Sequence, residues 1–351
     1  MNGRLLVGSS PHIREDVSVE KVMYGVVIAL VPAVVGSVYF YGYRALFLTA
    51  LACVAALATE AVIQRARGVP VTIRDGSALV TGILLAFNLP PGVPWWLPVV
   101  GAVFAIAIGK QVFGGLGYNP LNPALLGRAF LLASWPVHMT TTWLPARGGT
   151  LSGISMSGVD AVTQATPLAV LRKVSEILAD PSSTTHQIVQ AREVLSELGS
   201  IDSLLNLFVG RVGGCIGETS ALLLVIGAVY LLYRHFIDWR IPASYIGTVA
   251  VLAWIFGGPS GLFTGHALFH VLAGGLILGA FYMATDMVTS PVTPKGMIIF
   301  GVGCGVLTTI IRTIGGYPEG VSYSILLMNV ATPLIDRHTR PRIFGEVKKS
   351  G

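Results

Sequence analysis

The stretch VMYGVVIALVPAVVGSVYF, residues 22–40, is the first of a series of apolar runs that decides the fold of this chain. It carries no charged residue and approaches the ~20 residues that an α-helix needs to span a bilayer. Further runs of mostly apolar residues lie at 45–63, 77–90, 96–113, 122–135, 219–236, 242–257, 266–284, 296–313 and 321–335. The sequence therefore predicts an all-α polytopic membrane protein with ten transmembrane helices.

The composition also indicates a membrane protein. Of the 351 residues, 53% are hydrophobic and 11% are charged, whereas soluble domains average about 25% charged residues. The 42 glycines suit close packing of transmembrane helices. The net charge of +6 comes from basic residues spread over short loops without a basic–aromatic cluster, so we expect no nucleic-acid partner. The three cysteines show no metal or disulfide spacing and are expected to be buried structural thiols.

Lysine and arginine residues fall mainly on one side of the ten predicted spans. Cytoplasmic loops are enriched in these residues, so we expect cytoplasmic N- and C-termini. The residues on this side are Arg4, Arg14, Lys21, Arg65, Arg67, Arg74, Lys110, Arg234, Arg240, Lys295, Arg337, Arg340, Arg342, Lys348 and Lys349. The predicted parts are a cytoplasmic N-terminal segment (1–21), a first membrane repeat (22–135), a small extracytoplasmic loop domain (136–218), a second membrane repeat (219–336) and a basic cytoplasmic tail (337–351).

The two membrane parts repeat each other in sequence. Gly82 and Pro94 recur, at equal separation along the chain, as Gly279 and Pro291. A Gly-Gly pair shortly before a tyrosine occurs in the first part and again in the second. Because an odd number of predicted spans separates the copies, the two five-helix repeats are inverted. Inverted repeats with broken helices build binding sites near their interface, but channels, transporters and redox subunits all use them.

One long polar interval separates the repeats and contains DAVTQATP, residues 160–167. Thr166 precedes a predicted helix, and Pro167 lies in its first turn, where a missing N–H has no cost. A helix start offers free N–H groups and the positive end of the helix dipole, which suit a phosphate. Local chemistry thus allows either a capped loop helix or a threonine that carries a phosphate-linked group. Apolar spacing predicts a further helix at 185–198 and a short one capped by Asp202.

Charged residues within apolar runs are costly and are therefore functional candidates. Arg128 and Arg312 lie within such runs, and Asp286 lies just after the run that ends at residue 284, near the Gly/Pro breaks of the second repeat. Glu60 and Arg44 lie near the ends of their runs, where their charges can reach the membrane surface. For each candidate, a polar contact between helices and contact with a ligand or ion both remain open.

Polar residues also lie near the predicted helix breaks. Asn119 and Asn122, in GYNPLNPA, are candidates for hydrogen bonds to a polar ligand where the backbone is unwound. His266 and His270 share one helix face, but no third metal ligand is adjacent, so we expect no metal site. There is no Ser-His-Asp, Cys-His, P-loop or dinucleotide-binding pattern, and no catalytic residue is predicted.

Six motifs, in order along the chain, together resemble a known family. They are GKQVFGGLGYNPLNPA (109–124), DAVTQATPLA (160–169), IGETSA (216–221), MATDMVTSPVTPKG (283–296), IRTIGGYPEG (311–320) and LLMNVATPLID (326–336). On these motifs the chain resembles RnfD, a membrane component of the Rnf complex, which is a ferredoxin:NAD oxidoreductase. It is similarly related to NqrB, a component of the Na⁺-translocating NADH:quinone reductase (Nqr). Its length and short N-terminal extension are more similar to the Rnf member.

The resemblance implies a covalent flavin on the loop domain. In this family a flavin transferase attaches FMN through its phosphate to the last threonine of a short motif. The acid, first hydroxyl, alanine and attachment residue of that motif match Asp160, Thr163, Ala165 and Thr166. Gln164 stands where the family pattern has glycine. Arg172 and Lys173 follow within two helical turns, and Arg172 is the candidate to assist the phosphate.

The resemblance also implies a second, non-covalent flavin (riboflavin or FMN) among the transmembrane helices. We expect it near the break that contains Gly114, Gly115, Asn119 and Asn122. Electrons would arrive from an extracytoplasmic FMN subunit and pass inward across the bacterial cytoplasmic (inner) membrane, coupled to Na⁺ or H⁺ export. Asp286, the one acid in a predicted repeat break, is the candidate coupling residue. We expect no activity from this subunit alone.

Two other functions remain open from the sequence. One is that of NqrB, in which the same chemistry ends at a quinone. The other is a channel or secondary transporter that uses the same inverted repeat without a flavin. Covalent flavin on Thr166 distinguishes the redox functions from the transporter.

Overall fold

The computed structural model describes residues 18–152, 165–218, 220–258, 261–315 and 319–340. These residues contain helices, turns and one isolated bridge between Thr150 and Val212, but no strand, so the all-α prediction is confirmed for them. The α-helices are α1 Val19–Tyr41, α2 Tyr43–Ala66, α3 Ser77–Phe87, α4 Trp96–Ile106, α5 Pro123–Ser134, α6 Pro136–Thr140, α7 Pro167–Ala179, α8 Thr185–Leu198, α9 Ile201–Val209, α10 Ala221–Tyr233, α11 Arg240–Phe256, α12 Ala267–Leu272, α13 Leu276–Leu278, α14 Pro294–Ile314 and α15 Val321–Thr339. Two π-helical turns, Ala107–Gln111 and Gly279–Met283, directly follow α4 and α13, and a 3₁₀ turn covers Ile73–Asp75.

Each of the ten predicted apolar runs contains a helix. Among the described residues, α1, α2 and α14 are long and apolar enough to cross a membrane by length and composition, and α3, α4, α5, α10 and α11 are shorter apolar helices. Breaks in the sequence limit their length. The eighth run is divided into α12, α13 and a π-helical turn by Ala273, Gly274 and Gly275. After α3, Pro90 and Pro91 prevent the helix from continuing because proline has no backbone N–H.

Small residues allow the membrane helices to pack closely. α1 packs on α10, α2 on α3 and α4, and α11 on α14. A Cβ atom at Gly227 would lie 1.9 Å from the carbonyl oxygen of Ala29. One at Gly82 would lie 2.7 Å from Cα of Cys53. Only glycine fits at these crossings, as expected for helices that associate through small residues.

Helices α7, α8 and α9 form the loop domain around their own apolar core. The core joins Leu168, Val174 and Val194 to Phe269 of α12, so this domain packs directly on the membrane part. The prediction of a helix at residues 185–198 is confirmed by α8. The prediction that Asp202 caps α9 is wrong. Ser200 is the N-cap and accepts a hydrogen bond from the backbone N–H of Ser203 at 3.2 Å, and Asp202 lies within the first turn.

Candidate functional site

Thr166 is the N-cap residue of α7, as predicted, and Pro167 occupies the first helical position. The Thr166 side chain is buried and makes no capping hydrogen bond. The other described α-helices that follow a serine or threonine use that hydroxyl as a cap, at Ser18, Thr184, Ser200, Ser220 and Thr293. A capping hydroxyl normally accepts from one of the first N–H groups of its helix. The N–H groups at the start of α7 therefore lack a side-chain acceptor from their own cap residue.

Thr166 and Glu319 line two neighbouring clefts. The first, named here the Thr166 cleft, is formed by Arg128, Ala129, Leu132, Met139, Thr140, Trp143, Thr166, Ala169, Glu319, Ser322 and Tyr323. The second contains Gly213, Gly214 and Gly274 together with Glu218. The Thr166 cleft combines apolar and aromatic walls with a few charged groups, which is the usual composition of a cofactor site.

Arg128 of α5 is the cation of the Thr166 cleft. Its side chain is buried and forms an ion pair with Glu319. The same guanidinium donates to the Ser322 hydroxyl and to the Asn88 side-chain oxygen, the latter at 3.2 Å. Its Nε has no hydrogen-bond partner among the described residues. Arg128, which lies within an apolar run of the sequence, thus lines a cleft in the structure and keeps one N–H donor, its Nε, without a partner among the described residues.

A carboxylate pair lies beside this cation. One side-chain atom each of Cys215, Glu218 and Glu319 lie within 4.8 Å of one another. Burial, together with the nearby Glu319 carboxylate, raises the pKa of Glu218 to about 8 against the opposing effect of Arg128. The three cysteines are buried thiols that form no disulfide, as the sequence predicted. Glu218 is therefore positioned to hold a proton near neutral pH.

A third cleft, named here the inner cleft, lies between the two repeats. Its lining includes Ser77, Lys110, Asn119, Asn122 and Asp286. The Asn122 side-chain oxygen accepts from the backbone N–H of Ala124 at 3.0 Å and so caps α5. Its amide nitrogen donates to the carbonyl of Met283 in the second repeat at 3.3 Å. The side-chain oxygen of Asn119 is buried without a hydrogen-bond partner among the described residues.

The loop before α5 depends on its glycines. Gly114, Gly115 and Gly117 have φ angles of 121°, 105° and 94°, which L-residues rarely adopt. Gly114 and Gly115 turn the chain from the π-helical end of α4 toward α5 and are not among the residues that line the inner cleft. Of the four residues predicted at this break, Asn119 and Asn122 are therefore the ones that line the inner cleft.

Glu60 corrects one sequence-based expectation. Its side chain is fully buried instead of reaching the membrane surface. The Glu60 carboxylate pairs with Lys110 Nζ at 2.6 Å and accepts from the side chain of Gln111 at 2.8 Å. Lys110 also donates to the Ser77 hydroxyl at 2.6 Å. The sequence analysis counted Lys110 only as a loop charge. An acid in one apolar run (Glu60) and a lysine at the end of another (Lys110) are nevertheless a recognisable signal for such a buried pair.

Asp286 lies at the inner cleft, three residues after the end of the second π-helical turn. Its carboxylate accepts from the Thr289 hydroxyl at 3.1 Å and approaches the Val288 N–H at 3.5 Å. Both contacts are local and stabilise the turn. No basic side chain pairs with Asp286 among the described residues.

The remaining predicted site residues are separated in the structure. Asp160 and Thr163 lie outside the described residues, and Ala165 packs against the loop-domain core. Arg172 pairs with Glu176 at 2.9 Å and donates to the Gly315 carbonyl at 2.7 Å. It lines a different cleft from Thr166. The cation that shares a cleft with Thr166 is Arg128, whose helix is remote in sequence and which local spacing did not identify.

Neither histidine belongs to a group of three potential metal ligands among the described residues. His266 precedes α12, and His270 is buried within it. The described group of three potential ligands is the one that contains Cys215, and neither histidine belongs to it.

Comparison with known proteins identifies the family to which this chain belongs. Residues 6–345 match the model of the NQR2, RnfD, RnfE family, and the chain belongs to that family. The resemblance to RnfD, inferred from the six motifs, is thereby confirmed.

Individual relatives match over nearly their whole length. The chain is 51% identical to the D subunit of the Na⁺-translocating ferredoxin:NAD⁺ oxidoreductase complex of Acetobacterium woodii, covering 98% of this chain and 96% of the relative. It is 49% identical to the D subunit of the proton-translocating complex of Clostridium ljungdahlii, covering 97% and 96%. The D subunit of the ion-translocating oxidoreductase complex of Citrobacter koseri is 37% identical, with coverage of 97% and 98%.

Proposed function

We propose that this chain is a membrane electron-transfer subunit of an ion-translocating ferredoxin:NAD oxidoreductase complex and carries FMN joined through its phosphate to Thr166. The observation that carries the proposal is the Thr166 side chain, which lines a cleft at a helix start and, unlike the other serine and threonine caps, makes no capping bond. The names of the relatives supply the class of complex.

The residues around Thr166 suit a phosphodiester. The linkage keeps one negative charge, which the N–H groups and dipole of α7 stabilise. Arg128 replaces Arg172 as the proposed side-chain donor to the phosphate, because it lines the Thr166 cleft and its Nε has no hydrogen-bond partner among the described residues. Glu319 already balances the charge of Arg128, so its contribution is a hydrogen bond and the counter-charge comes from the start of α7. Trp143 and Tyr323 supply aromatic walls for a planar ring. Bound FMN supplies the redox chemistry, while the chain supplies position and electrostatics.

The inner cleft is the proposed site of the second, non-covalent flavin. The unpaired oxygen of Asn119 offers an acceptor for a ring N–H. Lys110, the basic residue among those that line this cleft, is already neutralised by Glu60, and Asp286 adds a negative charge. A phosphate would find no free counter-charge here. Riboflavin therefore suits the inner cleft better than FMN does.

The proposed route crosses the membrane along α5. Pro123 and Ala124 line the inner cleft, and Arg128 and Leu132 line the Thr166 cleft. At 1.5 Å per residue, Ala124 and Leu132 are about 12 Å apart along the helix axis. With cytoplasmic termini in a bacterial inner membrane, the Thr166 cleft lies on the extracytoplasmic side.

The helix packing supports the proposed ten-span inverted repeat. α2 packs on α4 and α4 on α5 in the first part, and α11 packs on α14 and α14 on α15 in the second. α1 and α10, the first helices of the two parts, pack on each other. The proposed domain boundaries remain those of the sequence prediction, at residues 22, 136, 219 and 337.

The proposed partners are an extracytoplasmic FMN subunit as electron donor, a flavin transferase for maturation, and the other subunits of the complex. The relatives named above translocate Na⁺ in one case and protons in the other. Asp286 is the proposed coupling residue, since it is an acid without a basic partner at the inner cleft. Replacement Asp286→Asn in the purified complex should abolish ion transport, and unchanged transport would remove this role.

The attachment itself is tested by co-expression with a flavin transferase. After denaturing electrophoresis, the wild-type band should fluoresce under ultraviolet light, and the Thr166→Ala band should be dark. Thr184→Ala is the matched control, because Thr184 is also a threonine N-cap in the loop domain. A dark wild-type band, with the transferase active on another substrate, would favour the channel or transporter.

A further inference from the structure

The largest remaining cleft lies between α7 of the loop domain and the adjoining ends of α11 and α14. Its lining includes Arg172, Ser175, Phe256, His270 and Arg312. We propose that this cleft, named here the Arg312 cleft, binds the phosphate of an anionic phospholipid headgroup, with the Arg312 guanidinium as its counter-charge. The proposal does not depend on a flavin at Thr166.

Arg312 is a buried charge that has no acidic partner among the described residues. It is 8% exposed, and its two terminal nitrogens donate to the carbonyls of His270, at 2.5 Å, and Ala273, at 3.1 Å. Its Nε has no partner, and no carboxylate in the described part of the chain lies within ion-pair distance. A buried guanidinium is normally paired, because an unpaired charge away from water is strongly unfavourable.

A second buried polar atom lies in the same cleft. His270 is 6% exposed, and its Nε2 has no hydrogen-bond partner among the described residues. Gly257 leaves room beside this atom, because a Cβ there would lie 2.9 Å from it. Arg172 also lines the cleft but is balanced by Glu176. The side chains of this cleft therefore leave a net positive charge and two unpaired polar atoms, which together suit a phosphate oxygen.

The position of the cleft favours a lipid as the source of the phosphate. Phe256, at the end of α11, lines the cleft and is largely exposed. Trp254 packs edge-to-face on Phe263 with ring centroids 5.1 Å apart, and both side chains are also exposed. Ile314, at the end of α14, is exposed as well. Aromatic residues at helix ends mark the membrane–water interface, which is the depth of phospholipid phosphates.

The test uses the purified full-length chain in a neutral detergent. Its thermal unfolding is followed with a thiol-reactive dye, which reports unfolding because the three cysteines are buried. The added probes are dioleoyl phosphatidylglycerol, dioleoyl phosphatidylcholine and, separately, sodium phosphate against sodium chloride. Phosphatidylglycerol should raise the midpoint temperature of the wild type, and phosphatidylcholine should not.

Two variants address the cleft directly. Arg312→Gln removes the charge, and Ser175→Glu adds a carboxylate that occupies the cleft without disturbing the carbonyl contacts of Arg312. Each should weaken the apparent affinity for phosphatidylglycerol by about tenfold or more, the scale of one charge-assisted hydrogen bond. Ser175→Glu keeps the test valid if Arg312→Gln does not fold. Ser196→Glu is the matched control, because Ser196 is an exposed serine of α8 that also donates to a helix carbonyl.

Each outcome decides between sources or rejects the site. If sodium phosphate stabilises the wild type as much as phosphatidylglycerol does, and Ser175→Glu abolishes both effects, the anion site stands and its lipid source is rejected. If neither probe stabilises the wild type, or if Ser175→Glu responds like Ser196→Glu, the proposal is wrong. Thr166→Ala should keep the full lipid response, so failure of covalent flavin attachment and failure of lipid binding can be distinguished.

Discussion

The buried ion pair of Lys110 with Glu60 gives a quantitative prediction. Replacement Lys110→Met keeps the length and apolar volume of the side chain but removes its charge. The Glu60 carboxylate would then be fully buried with only the amides of Gln111, at 2.8 Å, and Gln64, at 3.4 Å, as donors. Its second oxygen already lacks a partner among the described residues. The variant therefore leaves a buried charge without compensation.

The expected cost follows from the geometry. At the observed separation of 2.6 Å, two unit charges in an effective dielectric constant of about 20 attract each other by about 6 kcal/mol. Removing one partner of a buried pair typically costs about 3–5 kcal/mol. We expect Lys110→Met and Glu60→Gln each to lower the free energy of unfolding by about this amount. The double variant should lie within about 1–2 kcal/mol of the wild type, because it buries no charge.

The measurement is a double-mutant cycle of denaturant unfolding in detergent micelles. A large favourable coupling between the two substitutions supports the buried pair. If either single substitution costs less than about 1 kcal/mol, or if the double variant costs the sum of both, the pair is hydrated and the reasoning fails.

Three further outcomes follow from the clefts and helix crossings. The pKa of Glu218 is raised to about 8, so its contribution to stability is present below the ordinary pKa of about 4.3 and is lost as pH rises toward 8. The difference in unfolding free energy between the wild type and Glu218→Gln should therefore change across this range by up to about 1.4 kcal/mol per pH unit, and a constant difference would contradict the raised pKa. Gly227→Ala should destabilise the chain by about 1–3 kcal/mol in thermal or denaturant unfolding, because its Cβ meets a backbone carbonyl, whereas Gly247→Ala, with no atom within 4 Å, should be neutral or slightly stabilising. Asn122→Ala should lower the free energy of unfolding by about 1 kcal/mol, because α5 loses its cap. The variant should also release less flavin on acid precipitation while its covalent flavin fluorescence stays unchanged. Equal flavin release from the wild type and the variant would contradict a flavin site in the inner cleft.

Local sequence signals predicted local structure well. Pro167 after a threonine identified the start of α7, and apolar spacing predicted the observed bounds of α8. The wrong cap of α9 has a local cause. Ser200 and Asp202 are both suitable caps two residues apart, and spacing alone does not choose between them.

Contacts between distant elements were harder to predict. Lys110, the partner of Glu60, comes from a different apolar run. The sequence does not show that the two residues meet, and Glu60 was therefore predicted to reach the membrane surface from the end of its own run. Arg172 is the nearer arginine to Thr166 in sequence, but α7 directs it toward Glu176 and Gly315. The cation of the Thr166 cleft comes instead from α5, because the packing of the loop domain on the membrane helices determines which side chains meet.

The proposed redox function depends most directly on the chemical state of Thr166. The test is peptide mass spectrometry of the full chain, purified after co-expression with an active flavin transferase. We predict that the peptide containing Thr166 carries the mass of FMN less one water and that fragmentation places the flavin phosphate on the Thr166 hydroxyl. A fully unmodified Thr166 peptide, obtained while the same transferase modifies a second substrate in the same cells, would contradict the central claim.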